Sequence, residues 1–418
     1  MRVGVFLFGA VEMGDTIGAG GTEPTARRHT QADFLSATRR ILDTGVLADE
    51  LGYDAFWLTE HHFQHEGYEV VPNGLLFGAF LAERTRQIRI GTMFNVVGQW
   101  HPLRLAEDFA MLHNLSGGRG ILGVGRGTVP REMEPLSLGR MSVGSSDNPD
   151  ALAADTVNRD VTNEALDLLL TALDNETFRH RGSYFQAPPP GIPDRGGEVE
   201  SLTLIPRPAY PYEVWQAISS PGSLAAVPAR GFGGVFWLAS RSLLRARWDR
   251  YAEVYADTHG GAALAPGEKR MIVLNTCLAD TRERAMELAR PGHDEFWRFL
   301  GPYGWNRAYL GPDGGMPPAG WVPTLEDSVE QGVWAVGTAE DVAEAILRLR
   351  ADLGGLADLT IFPTGPGESY DATDEQLRRF ARDVRPLLDA SEPVPAGSVA
   401  AQAAPAPAPF HQAPRTRS

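Results

Sequence analysis

The chain has 418 residues, 43 % hydrophobic and 22 % charged, a balance that excludes a largely disordered protein and leaves room for one large barrel or two ordinary domains. Its 38 basic against 53 acidic side chains give a formal charge of −15, and with no local basic patch this excludes nucleic acid and an anionic membrane surface as partners. Cys277 is the only cysteine and Lys269 the only lysine, so intrachain disulfides, cysteine-built metal centres and a G-K-[ST] phosphate loop are excluded as well.

In chain order, Val3–Phe8 is an apolar run that leads into Glu12 and Asp15 without a cleavage pattern, so it reads as a buried first strand and not a signal peptide. No stretch of about 18 apolar residues follows, so nothing spans a membrane and a cytoplasmic protein is expected. Thr30 with Asp33 forms a capping-box start, and Phe34, Ile41, Leu42, Ala48 and Leu51 recur at helical spacing until Gly52. Ala55–Leu58 is a short strand, a helix is expected around Gly74–Ala82, and Ile88–Val97 is β-rich. Pro102 opens a helix bearing Leu105, Phe109, Leu112 and Leu115, closed by Gly117 and Gly118, and Gly120–Val124 is the fourth strand. Val214–Ile218, Gly234–Leu238, Met271–Leu278 and Leu359–Phe362 complete eight strands. Helices start near Ser223, Arg241, Thr281, at the capping box Thr338–Asp341, and over Asp374–Leu388. Strands each followed by a helix pair in parallel, in a closed barrel or an open doubly wound α/β sheet.

Two stretches break this rhythm. Residues 128–211 hold a Ser/Asp/Asn-rich part at 142–150, a helix near Glu164–Leu173 and a Pro/Gly-rich part at 188–197. Residues 291–332 hold Phe296, Trp297, Phe299, Tyr303, Trp305, Tyr309 and Trp321 among glycines and prolines, the composition of a lid. From Ser391 to Ser418 the chain is Ala/Pro-rich and is expected to be disordered, which leaves residues 1–390 as the folded unit.

Three clusters bear chemistry. Glu60-His61-His62-Phe63 follows the second strand, where barrel side chains face the active site; one of the two histidines is placed for proton transfer, because successive strand residues point opposite ways. A metal site using His61 and His65 requires a helix that this stretch lacks, so no metal is expected. Gly118–Gly123 contains a formal G-x-G-x-x-G, but it precedes its strand, whereas a dinucleotide fingerprint must follow one. Gly125-Arg126-Gly127-Thr128 after that strand offers close backbone approach and an arginine fork, suited to a phosphate or to a plain turn. Ile218-Ser-Ser-Pro-Gly-Ser223 places hydroxyls at a helix start, as an anion site or as ordinary capping.

Trp57-Leu-Thr-Glu-His-His-Phe63, His101-Pro102, Ala106-Glu-Asp108, Leu115-Ser-Gly-Gly-Arg119, Gly123-Val-Gly-Arg-Gly127 and Val336–Val342 together resemble the bacterial-luciferase-like flavin-dependent monooxygenases, from Arg2 to about Leu388 outside the two insertions. The resemblance implies an α/β fold, a (β/α)8 TIM barrel, that binds reduced FMN and forms a flavin hydroperoxide with oxygen. It implies His61 as the catalytic histidine. Arg126, Gly127, Thr128, Ser219, Ser220, Gly222 and Ser223 would surround the FMN phosphate. Met93 and Phe94 would form a non-proline cis peptide beneath the flavin ring, with Asn95 beside it. His113 stands where many relatives carry an acidic residue, and Ile218 stands where light-emitting members carry a glutamate, so light emission is not implied. With no nicotinamide fingerprint in the chain, a separate flavin reductase would supply the reduced FMN, and the aromatic insertion suits a bulky apolar substrate. A homo-oligomer is compatible with this reading. The alternatives are a deazaflavin-dependent hydride-transfer oxidoreductase on the same barrel and a catalytically silent flavin-binding subunit.

Overall fold

The computed structural model describes residues 1–142, 151–318 and 320–391. The Ser/Asp/Asn-rich segment at 143–150 and the expected tail from residue 392 onward lie outside the described residues.

Nine of the ten parallel strands among the described residues organise the chain: β1 (Arg2–Leu7), β2 (Ala55–Leu58), β3 (Arg89–Thr92), β4 (Gly120–Gly125), β5 (Val214–Ala217), β6 (Gly233–Phe236), β7 (Arg270–Leu278), β8 (Trp334–Gly337) and β9 (Asp358–Phe362), the two-residue Asn95–Val96 adding a short pairing along β4. All but β8 form a closed barrel of eight, β1 meeting β9 at Arg2↔Asp358 and β4 meeting β5 at Val214↔Leu122. The open doubly wound alternative is thereby excluded. β8 extends the sheet beside the second half of β7, from Asn275↔Trp334 to Leu278↔Gly337. Sequence reading missed it because Trp334–Gly337 is short and lies directly after the aromatic insertion.

The barrel interior is packed by large rings that strand glycines make room for. A Cβ on Gly91 would sit 2.4 Å from the Trp57 ring, and one on Gly233 would sit 2.3 Å from Trp215. The glycines of the false dinucleotide match serve the same end: a Cβ on Gly123 would lie 1.7 Å from the Thr92 carbonyl oxygen. At the bottom of the barrel Arg119 binds the Ile88, Ala82 and Thr85 carbonyl oxygens at 3.0, 2.7 and 3.2 Å, so this motif arginine clasps loops and stays away from the reaction end.

Outside lie α1 (Gln31–Glu50), α2 (Gly74–Arg84), α3 (Pro102–Leu115), α5 (Ala151–Asp174), α6 (Pro221–Ala229), α7 (Arg241–Thr258), α8 (Arg282–Leu300), α10 (Ala339–Asp352) and α11 (Tyr370–Arg379), with α4 (Pro130–Leu136) and α9 (Leu325–Glu330) in the two insertions. Both expected capping boxes form, at Thr30 with Asp33 and at Thr338 with Asp341. The first insertion is not mainly irregular: α5 has 24 residues and packs on α3 as part of the outer layer. The second insertion starts later than expected. Pro291 sits inside α8, and the helix continues to Leu300, carrying Phe296, Trp297 and Phe299 into the core.

His113, the departure on α3, is buried with Nδ1 2.9 Å from the Gly120 carbonyl oxygen and Nε2 3.3 Å from that of Tyr210. Beside it Asn114 donates to the Arg207 carbonyl oxygen at 2.8 Å and accepts from the Ala209 N–H at 2.7 Å. The pair fastens the end of the first insertion to the barrel.

Candidate active site

The C-terminal ends of the barrel strands surround a cavity of about 170 Å³. Phe6 and Phe8 enter from β1, Thr59, Glu60 and His61 from the end of β2, Met93, Phe94 and Val96 from β3, Arg126 and Thr128 from β4, Ser219 from β5 and Trp237 from β6. Phe299, Leu300, Tyr303 and Trp305 close the side away from the barrel, so four residues of the second insertion do form a wall. Trp297 and Tyr309 of the same insertion are buried in the core instead. A wider groove of about 1360 Å³ lies on the outer side of that wall and shares Tyr303 and Thr128 with the cavity.

His61 is held at both ring nitrogens. Nδ1 lies 3.1 and 3.0 Å from the two carboxylate oxygens of Glu132, and Nε2 lies 3.2 Å from Oε2 of Glu69. Burial on its own lowers the basicity of the imidazole, but Glu69 and Glu132 outweigh it and raise its pKa to about 9, so the ring carries its proton at neutral pH. A fifth of the side-chain surface is exposed, and the ring lines the cavity. Glu69 moves the opposite way from an ordinary carboxylate: burial raises its pKa to about 8, against the pull of His61. His62 is not part of the cavity lining, and its Nε2 sits 3.7 Å from Oε1 of Glu60.

Glu132 arrives from α4, and the loop after β2 brings it in. Gln64 donates to Glu132 at 2.7 Å, and Arg131 grips both oxygens of Glu66 at 2.6 and 2.7 Å. Such a bidentate pair fixes geometry as well as charge. Glu60, under the floor, accepts from the Trp100 indole at 2.8 Å and from the Val96 N–H at 3.3 Å.

The Met93–Phe94 peptide is cis. Asn95 turns away from the cavity: its amide donates to Thr92 and, at 2.8 Å, to the Gly123 carbonyl oxygen. Arg126 pairs with Asp155 of α5 at 2.5 Å, and Asp155 also binds Arg159. At the start of α6, Ser220 and Ser223 cap each other, Ser223 Oγ accepting from the Ser219 and Ser220 N–H groups at 3.1 and 3.0 Å. Ser219 lines the cavity, whereas Ser220, Gly222 and Ser223 stand outside it. A Cβ on Gly222 would lie 3.3 Å from Nη1 of Arg159. The glycine therefore leaves the space between that guanidinium and the α6 N-terminus open. Two arginines and a helix start converge on one spot, an anion-binding arrangement that suits a phosphate.

Sequence reasoning missed Glu69, Glu132, Asp155 and Arg159. No metal-holding cluster of three His, Cys, Asp or Glu side chains occurs among the described residues, and no described helix is long and apolar enough to cross a membrane.

Residues 1–356 match the family model of the luciferase-like monooxygenases. The chain is 31 % identical to the uncharacterised protein y4wF of Sinorhizobium fredii over 328 residues, 76 % of this chain and 84 % of that one. It is 28 % identical to the 3,6-diketocamphane 1,6-monooxygenase of Pseudomonas putida over 377 residues, 84 % of this chain and 94 % of the other. Among solved structures, the oxygenating constituent of 3,6-diketocamphane monooxygenase from Pseudomonas putida, a type II Baeyer–Villiger enzyme in complex with FMN, superposes with a TM-score of 0.70 at 22 % identity, covering 93 % of this chain and 98 % of that one.

Proposed function

The chain belongs to the luciferase-like, flavin-dependent monooxygenases, and from that premise we propose that it is the oxygenating component of a two-component system, using FMN reduced by a separate flavin reductase to insert one oxygen atom into a bulky apolar substrate. The observation that carries this reading is the convergence of Arg126, Arg159 and the α6 start beside a cavity that Arg126 and His61 both line. Arg126, Arg159, Thr128 and Ser219 would hold the FMN phosphate, and Met93 and Phe94 would support the ring. The relative of the solved structure is itself an oxygenating constituent bound to FMN, which supports both the cofactor and the separate reductase.

Reduced FMN, when bound, supplies the electrons with which dioxygen is divided between substrate and water. The chain's own residues do the rest. His61, set between Glu132 and Glu69, holds a proton where negative charge develops on oxygen. Phe8, Trp237, Phe299, Tyr303 and Trp305 exclude water and pack on the substrate. At about 170 Å³ the cavity is smaller than the roughly 300–1,000 Å³ of most small-molecule sites.

Titration with FMN tests the cofactor assignment. Arg126→Ala should weaken binding by roughly 1.5–3 kcal/mol, the scale of a charge-assisted hydrogen bond. Unchanged affinity would refute the phosphate site.

The same reading includes a homo-oligomer. Leu76 and Phe80 on α2 are 61 % and 65 % exposed, and Met111 and Leu115 on the adjacent α3 are 45 % and 71 % exposed. They form one apolar surface suited to self-association.

A further inference from the structure

The cavity holds a feature that FMN binding leaves unexplained. Glu69 and Glu60 are 2 % and 1 % exposed, both line the cavity, and Oε2 of each lacks a hydrogen-bond partner. Glu69 Oε2 lies 3.2 Å from His61 Nε2, but without the alignment of a hydrogen bond. A buried acceptor left unpaired costs about 1–3 kcal/mol, so its place in the cavity calls for a donor.

The backbone puts Glu69 there at some strain. Its φ is +43°, a conformation rarely taken by a residue with a long side chain. The Val70 N–H donates to the Gly9 carbonyl oxygen at 2.8 Å and the Val11 N–H to that of Gly67 at 2.7 Å, so the loop after β1 enforces the turn. Besides His61, the groups facing Glu69 are Thr59 from the end of β2, Glu132 from α4 and Tyr303 from the outer wall; Glu60 lines the same cavity, and Glu66 and Arg131 lie one layer further out. Among the described residues, Arg126 is the only arginine that lines the cavity, and it is tied to Asp155.

Resting on the monooxygenase reading above, we infer that Glu69 is a second acid–base residue that meets the substrate directly, so that the substrate is an aromatic or polycyclic molecule with an O–H or N–H donor and not a carboxylate. Its donor completes the empty acceptor on Glu69, and Glu132–His61 behind it shares the proton. A carboxylate in the same position brings no donor for that oxygen and gives up its own hydration on entering a buried chamber. A site built around a buried polar group discriminates strongly against a ligand that leaves that group unpaired.

Calorimetric titration of the full chain, with and without FMN, using 2-naphthol, naphthalene and 2-naphthoate at pH 7 tests this. Wild type should bind 2-naphthol at least tenfold more tightly than either of the others. Glu69→Met, which removes both acceptor oxygens at similar volume, should bring 2-naphthol to within about threefold of naphthalene, whereas Glu69→Gln keeps an amide oxygen and should retain most of the preference. A strut for His61 alone would not move the naphthol-to-naphthalene ratio, so an unmoved ratio overturns the inference, as does wild-type binding of 2-naphthoate equal to that of 2-naphthol. If Glu69→Met does not fold, Glu69→Asp, which keeps the acid but withdraws it, should still prefer 2-naphthol over 2-naphthoate; loss of that preference also overturns it. Absence of FMN binding alongside an intact naphthol preference would refute the cofactor reading and leave Glu69 standing.

Discussion

Glu132 and Glu69 flank the two ring nitrogens of His61 and raise its pKa to about 9, and that arrangement sets what its removal does. His61→Ala should cut turnover by about 10²–10⁴ while FMN affinity stays within a few-fold, because the ring handles a proton and not the phosphate. A fall in FMN affinity matching the fall in turnover would show that His61 binds rather than reacts. Glu69 gives a pH signature. Burial raises its pKa from 4.5 to about 8 in the folded chain, so folding holds this proton more tightly than the unfolded chain does. The stability this contributes is full below pH 4.5 and is lost as the pH rises to about 8. Glu69→Gln mimics the protonated form, so its thermal midpoint should gain on wild type steadily from pH 5 to pH 8 and level off above. A constant difference across that range would mean that Glu69 titrates normally. Of this cluster only His61 was legible in the sequence. Its position at a strand end is a local signal, whereas Glu132 is 71 residues downstream and reaches the ring only because Gln64, Glu66 and Arg131 dock α4 on the loop after β2. Glu69 is turned inward by a left-handed backbone that no local pattern announces.

The insertions carry elements and not only loops. α4 supplies Glu132, α5 supplies Asp155 and Arg159, and the end of α8 leads into the wall of Phe299, Tyr303 and Trp305. Asp155 holds both Arg126 and Arg159, so a phosphate entering the proposed site would share or displace that carboxylate. Asp155→Asn removes the like charge beside the phosphate and should tighten FMN binding by about 0.5–1.5 kcal/mol, measured by titration at fixed low salt. Weaker binding would mean that Asp155 chiefly orients the two arginines. Strand and helix periods located the regular barrel well, from the capping boxes to the closing strand. They failed at α8, where Pro291 suggested an end. The helix survives because its second half is anchored in the core: Glu295 is fully buried, pairs with Arg27 at 2.5 Å and accepts the Gly18 N–H at 3.1 Å, and Phe296, Trp297 and Phe299 pack inside. Tertiary contacts outweigh the lost backbone hydrogen bond there.

At the scale of the molecule, one closed barrel presents its chemistry at the C-terminal ends of the strands and an apolar surface on the flank formed by α2 and α3. Burying Leu76, Phe80, Met111 and Leu115 against a second copy is worth about 1.5–3 kcal/mol for each side chain, so Phe80→Glu with Leu115→Glu should shift elution from dimer to monomer without changing FMN affinity. A wild-type chain that already elutes as a monomer would remove the basis for an oligomer. The central claim concerns the cofactor and its reaction with oxygen, and one experiment addresses both. The chain is titrated anaerobically with reduced FMN, and in parallel with oxidised FMN and a reduced deazaflavin, and each complex is then mixed rapidly with dioxygen. The account predicts that reduced FMN binds at least tenfold more tightly than the deazaflavin, and that its reoxidation passes through an absorbing species distinct from both reduced and oxidised flavin. Tighter binding of the deazaflavin, or direct reoxidation of FMN at the rate of free flavin, would contradict it.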